Sequence, residues 1–185
     1  MTVARRQVRT QWIVFFALAA FFIVADQLAK AWILGSHLDA NGQVVANFEL
    51  GVPTSIVGDT IRIWYIHNTG ALFGLFADQA AVFAALSIGV VALIVWYHGH
   101  ALRANGWLAT LSLGLLLGGA IGNLIDRIRF GYVVDFVDMG IGTARFYTYN
   151  VADSAISASL ILLIVMALWP RRVDPATAEP GASVG

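Results

Sequence analysis

Hydrophobic positions along this chain come in long unbroken runs, without the short alternations of a soluble domain. Four of these runs are long enough to cross a bilayer core, which takes about 20 helical residues. They cover about residues 12–34, 80–97, 107–128 and 151–169. Between the first two lies a long loop, residues 35–79, and between the last two a shorter one, residues 129–150. Inside the long loop, "FELGV" and "TIRIWYIH" have the β-branched and aromatic content of short strands. "HLDANGQ" contains Asn-Gly and reads as a turn. The tail, residues 171–185, is rich in Pro and Gly and is expected to be disordered and cytoplasmic. The pattern predicts an all-α membrane bundle of four transmembrane helices with a small β-rich extracytoplasmic subdomain. Residues 1–170 are read as one membrane domain.

Composition sharpens this. Apolar residues make up 59% of the 185 and charged residues 12%, where a soluble domain averages about 45–50% and about 25%. The mean hydropathy is +0.77. The formal net charge is zero, so no basic footprint for nucleic acid is present, and there is no cysteine for a disulfide, a thiolate site or a thiol nucleophile.

Charge also orients the spans. Arg5, Arg6, Arg9, Arg103, Arg171 and Arg172 fall on the side of the termini; Arg62, Arg127, Arg129 and Arg145 fall on the other. Six against four places both termini in the cytoplasm by the positive-inside rule. A cleavable signal peptide is the alternative reading of the basic start and "WIVFFALAAFFIVA". However, its small-residue site, Ala17-Leu18-Ala19, lies within the apolar run, and apolar residues resume after Lys30. The segment is therefore read as a retained span.

With that orientation, the polar residues of the spans collect at one end. Asp26 and Lys30 lie four apart in the outer half of the first span. "HNTGALFG" precedes the second. Asn123, Asp126 and Arg127 end the third, Asp135 and Asp138 follow in "GYVVDFVDMG", and Asn150 and Asp153 open the fourth. Polar groups in spans are costly and tend to be functional. Gly114, Gly118 and Gly122 recur every four residues and suit close helix packing, with Gly119 and Asn123 on the adjacent stripe.

Each residue also has a purely structural reading. Asn150 and Asp153 fit a variant capping box, and the helix N-terminus favours a negative charge at Asp153. Asp26 and Lys30 can pair with each other. Arg127 can anchor at lipid headgroups or hold a substrate carbonyl or phosphate. Asp135 stands among Val133, Val134, Phe136 and Val137 and needs a partner or a proton unless it faces water. His37, His67, His98 and His100 show no ligand spacing. Two carboxylates brought close share a proton, which suits one to activate water while the other protonates a carbonyl oxygen.

"DQLAK", "NTGALFG", "GGAIGNLIDR", "GYVVDFVD" and "NVADS" occur here in the order found in the bacterial lipoprotein signal peptidase, or signal peptidase II, family. The resemblance runs from about Asp26 to Ser157. It implies an aspartic endopeptidase of the bacterial cytoplasmic membrane, multi-pass, with its site on the extracytoplasmic side. Such an enzyme removes the signal peptide of a prolipoprotein just before a diacylglyceryl-modified cysteine. By motif, the catalytic pair falls on Asp135 and Asp153. Supporting positions fall on Asp26, Lys30, Asn68, Asn123, Arg127 and Asn150, with Gly70 and Asp126 joining the candidate set. No metal or cofactor is expected. Prolipoprotein substrates, membrane lipids, a monomeric state and inhibition by the cyclic peptide globomycin are. Two positions depart from the family's habit: Tyr147, where Phe-Pro is common, and Leu72, where a small residue is usual. The competing readings are a small transporter or proton conductor using the Asp and Lys residues as a relay, and an assembly factor without chemistry.

Overall fold

The computed structural model describes residues 3–35, 37–38, 44–69, 80–101 and 106–168. Helix α1 spans Val3–Leu34, α2 Ala80–Ala101, α3 Gly106–Phe130 and α4 Val151–Leu168. All four are long and apolar enough to cross a membrane. Because α1 begins at Val3, Arg5, Arg6 and Arg9 ride on its first turns and not on a separate arm. Gly70, Leu72, residues 39–43 of the expected turn and the tail at 171–185 lie outside the described residues.

The bundle is built around α3. Of its apolar span 61% is buried, against 17%, 11% and 17% for the spans of α1, α2 and α4. Its glycines explain the difference. A Cβ on Gly114 would come within 3.0 Å of the Phe15 carbonyl oxygen, and one on Gly118 within 2.9 Å of that of Ala19, both on α1. One on Gly119 would collide with the Ala152 carbonyl oxygen of α4. One on Gly122 would lie 2.8 Å from Asp26 Oδ2 and 3.1 Å from Ala152 Cβ. Missing side chains thus let two backbones approach α3 at once. Phe15, Ala19, Ile94, Leu113 and Leu117 fill the apolar centre. Phe21, Leu28, Leu86, Leu93, Ile161 and Leu168 are exposed on the helix exteriors, where lipid is the matching solvent.

At one end sits a four-stranded antiparallel sheet in the order β3 (Thr54–Val57), β4 (Ile61–Asn68), β5 (Val133–Ile141) and β6 (Ala144–Arg145). A two-stranded ribbon pairs β1 (His37–Leu38) with β2 (Val44–Val45). "TIRIWYIH" becomes β4 as expected. "FELGV" does not form a strand: Gly51 is left-handed (φ 79) and Pro53 has no N–H for a ladder, so pairing starts at Thr54. His37 and Leu38, expected in a turn, are in β1. The last loop holds a nine-residue strand, β5, buried along most of its length. Asp135 is therefore a buried strand residue and not a loop residue facing water.

The stretch before α4 runs back along β5. Tyr149 bonds Val137 in both directions, at 2.8 and 3.1 Å, and its carbonyl also accepts from Phe136 N–H at 3.1 Å. On the other side of β5, Ile66 of β4 faces Asp135 and Asn68 faces Val133. These pairings set the start of α4 beside the middle of β5.

Candidate functional site

The deepest part of the site is charged. Lys30 Nζ lies 2.7 Å from Asp26 Oδ2 and 2.7 Å from Asp126 Oδ2, with all three side chains at most 2% exposed. The pairing of Asp26 with Lys30 is present, but Asp126 shares the lysine. Each carboxylate also accepts from a backbone N–H: Asp26 Oδ1 from Ala152 at 2.9 Å, and Asp126 Oδ2 from Val134 at 3.0 Å. The Ala152 N–H is one that the first turn of α4 leaves without a helical partner. Gln27 closes the group, donating to Asp126 Oδ1 at 3.0 Å and to the Gly122 carbonyl at 3.3 Å. The cluster ties α1, α3, α4 and β5 together. Sequence reasoning missed Gln27; its signal was a third polar side chain between Asp26 and Lys30 in an apolar span.

Above it, two asparagines connect the cluster to two further carboxylates. Asn123 Oδ1 accepts from Lys30 Nζ at 3.2 Å and from Asn150 Nδ2 at 3.0 Å. Asn123 Nδ2 donates to Asp153 Oδ1 at 2.8 Å, and Asn150 Nδ2 donates to Asp135 Oδ1 at 2.8 Å. Asp135 and Asp153 are thus joined through an asparagine pair. From β4, Asn68 Nδ2 donates to Asp135 Oδ2 at 2.9 Å. The capping box is formed as well. Asn150 Oδ1 accepts from Asp153 N–H at 2.9 Å, and Asp153 Oδ2 accepts from Asn150 N–H at 3.2 Å. Asp153 caps the helix with one oxygen and faces Asn123 with the other.

Burial lifts the Asp135 carboxyl from 3.8 to about 7, and the nearby charge of Asp153 adds to the effect. The hydrogen bonds from Asn68 and Asn150 and the charge of Lys30 oppose it without cancelling it. Next to Asp153 opens a pocket of about 320 Å³ lined by Phe146, Tyr147, Tyr149, Asp153, Ser154 and Ser157.

Arg127 stays near the pair: its guanidinium lies within range of the charges of Asp153 and Asp135, its Nη1 donates to the Asn123 carbonyl at 3.4 Å, and it sits 6.0 Å from the Phe83 ring centre. Asp138 is drawn into a separate network: Arg62 Nη2 lies 2.6 Å from Oδ2, and Arg145 Nε donates to Oδ1 at 2.8 Å. Burial works against its charge, but hydrogen bonds from Arg145 and Arg62 outweigh that and hold its carboxyl below the usual range. His67 stacks on Tyr132 at 3.7 Å. At the opposite end of the bundle, Gln11 and His98 are buried, His98 stacked on Phe15 at 4.0 Å.

Comparison with known proteins agrees with the motifs. The family model described as signal peptidase (SPase) II matches residues 18–169. The lipoprotein signal peptidase of Moorella thermoacetica is 38% identical over 156 residues, 84% of this chain and 93% of that protein. The lipoprotein signal peptidase of Caulobacter vibrioides is 37% identical over 165 residues, 85% of this chain and 87% of that protein. Two solved structures share the fold. One bacterial membrane enzyme, at 1.9 Å resolution, has a TM-score of 0.70 at 26% identity and covers 85% of this chain and 94% of its own. Another, at 2.3 Å, has a TM-score of 0.69 at 26% identity, covering 83% and 87%. Four apolar helices, a small antiparallel sheet and a family match running from α1 to the end of α4 lead to one conclusion: this chain belongs to the signal peptidase II family.

Proposed function

We propose that this protein is an aspartic endopeptidase that removes signal peptides from diacylglyceryl-modified prolipoproteins. It cleaves just before the lipidated cysteine, at the outer surface of the bacterial cytoplasmic membrane. The observation that carries the reading is the joint placement of Asp135 and Asp153. Both are fixed by one asparagine pair, and Asp135 is buried deeply enough to keep its proton to about neutral pH.

In this scheme a water molecule adds to the scissile carbonyl carbon. Asp153 takes the proton the water loses, and Asp135 gives its proton to the carbonyl oxygen. The resulting tetrahedral diol gives one hydroxyl proton back to Asp135 as it collapses, the C–N bond breaks, and the departing amine takes the proton held by Asp153. Asn68, Asn123 and Asn150 orient the carboxyls, while Asp26, Lys30 and Asp126 brace the elements that carry them. The pocket beside Asp153 is open to a peptide, and the exposed apolar helix faces suit a substrate whose acyl chains stay in lipid. The arginine distribution supports cytoplasmic termini and an extracytoplasmic site. The names of the relatives support a lipoprotein substrate. The unit is taken to be one membrane domain working as a monomer.

A relay that conducts protons needs polar groups in series. Here Phe15, Ala19, Leu113 and Leu117 form an apolar layer between Gln11 and His98 on one side and Lys30 on the other, which disfavours transport. The test is processing of a prolipoprotein by Asp135→Asn and Asp153→Asn variants that still insert and fold. Each is expected to lose nearly all cleavage; full cleavage by either removes the pair from the mechanism.

A further inference from the structure

Tyr147 stands three residues before Asn150, at a position where the resemblance leads one to expect proline. Its side chain is 65% exposed and so contributes little to the core. Yet it is not set apart from the chemistry. It lines the same pocket as Asp153. It lies near Asn68, the amide that donates to Asp135 Oδ2 at 2.9 Å, and near the charges of Asp153 and Asp135. The phenol thus stands on the pocket wall that Asp153 completes.

We propose that Tyr147 is a further catalytic residue, whose phenol O–H donates a hydrogen bond to the scissile carbonyl oxygen as that oxygen gains charge. This rests on the aspartic-peptidase reading given above. Tyr147 keeps its proton throughout: water adds to carbon, its proton goes to Asp153, and the carbonyl oxygen receives the proton of Asp135. The phenol contributes a fixed dipole aimed at developing charge, and such donors act mainly on the chemical step. It stays protonated in the working range, because partial desolvation at the pocket wall, then the charges of Asp153 and Asp135, push its ionisation above the ordinary tyrosine value. Proline at this position has no group that can do this.

The experiment uses the full-length protein in lipid or detergent, cleaving a synthetic diacylglyceryl-modified prolipopeptide, with kcat and KM measured separately. Tyr147→Phe removes one oxygen from a largely exposed side chain and leaves the ring, so folding and melting temperature are expected to hold. The expected result is a kcat lower by about 100-fold with KM within about twofold of the wild type. An unchanged kcat overturns the proposal. A raised KM with kcat kept also overturns it, since Tyr147 would then be a pocket wall that binds substrate without acting on the transition state. Asp135→Asn is run alongside. If wild type cleaves, Asp135→Asn does not, and Tyr147→Phe keeps full kcat, the tyrosine proposal falls alone. If the wild type does not cleave, both readings fall.

Discussion

Replacing Asp135 with asparagine is expected to destroy activity and yet, above neutral pH, to stabilise the protein. The side chain is fully buried, and its carboxyl is lifted from 3.8 to about 7, by burial first and by the charge of Asp153 second. A lift of that size corresponds to about 4 kcal/mol of preference for the protonated form in the folded state. The unfolded chain gives up this proton near 3.8, the folded chain near 7. Between those values the folded state binds more protons, so wild-type stability falls as pH rises. Below about pH 4 both states are protonated and the penalty is absent. Asparagine has no proton to lose and escapes the penalty at every pH. Its cost lies in hydrogen bonding: Asp135 accepts from Asn150 on one oxygen and from Asn68 on the other, and the new amide NH₂ must face one of these donors. A mismatch of that kind costs about 1–3 kcal/mol and does not depend on pH. The variant should therefore be less stable than wild type by about 1–3 kcal/mol at pH 4 and more stable by about 1–3 kcal/mol at pH 8. Thermal unfolding of both proteins in the same detergent across pH 4–8 measures the difference, since other titrating groups largely cancel. A difference that stays flat, or that swings toward the wild type as pH rises, refutes the argument that burial holds a proton on Asp135.

Lys30→Met leaves Asp26 and Asp126 buried without their shared cation and should cost about 3–5 kcal/mol, read as a large fall in melting temperature; a fall of a degree or two would mean the carboxylates do not depend on the lysine. Gly119→Ala forces α3 and α4 apart at the Ala152 carbonyl and should cost about 1–3 kcal/mol. Because Asn123 follows on the same stripe and holds Asp153, prolipoprotein cleavage should slow in the same variant. Unchanged cleavage would mean that the asparagine contact survives a shifted helix.

Some features of this protein are properties of short stretches of chain, and those were legible in the sequence. An apolar run of span length makes a membrane-length helix wherever it is placed, so all four helices could be read directly. Asn150 and Asp153 cap α4 through residues three apart, and Asp26 reaches Lys30 across one turn. Long β-branched stretches announced β4, whereas Gly51 and Pro53 cut short the neighbouring strand that the apolar content of "FELGV" suggested. Other features depend on which surfaces meet, and no local pattern carries that. Lys30 finds Asn123 93 residues away and Gln27 finds Asp126 99 away because the α3 glycines admit α1 so closely. Asp135 and Asp138, three apart on one strand, part company: one is received by Asn68 and Asn150, the other by Arg62 and Arg145. The family motifs named Asp135 and Asp153 as a pair. The pairing of β5 with β4 and with the stretch before α4 buried Asp135, and burial is what lifts its carboxyl to about 7.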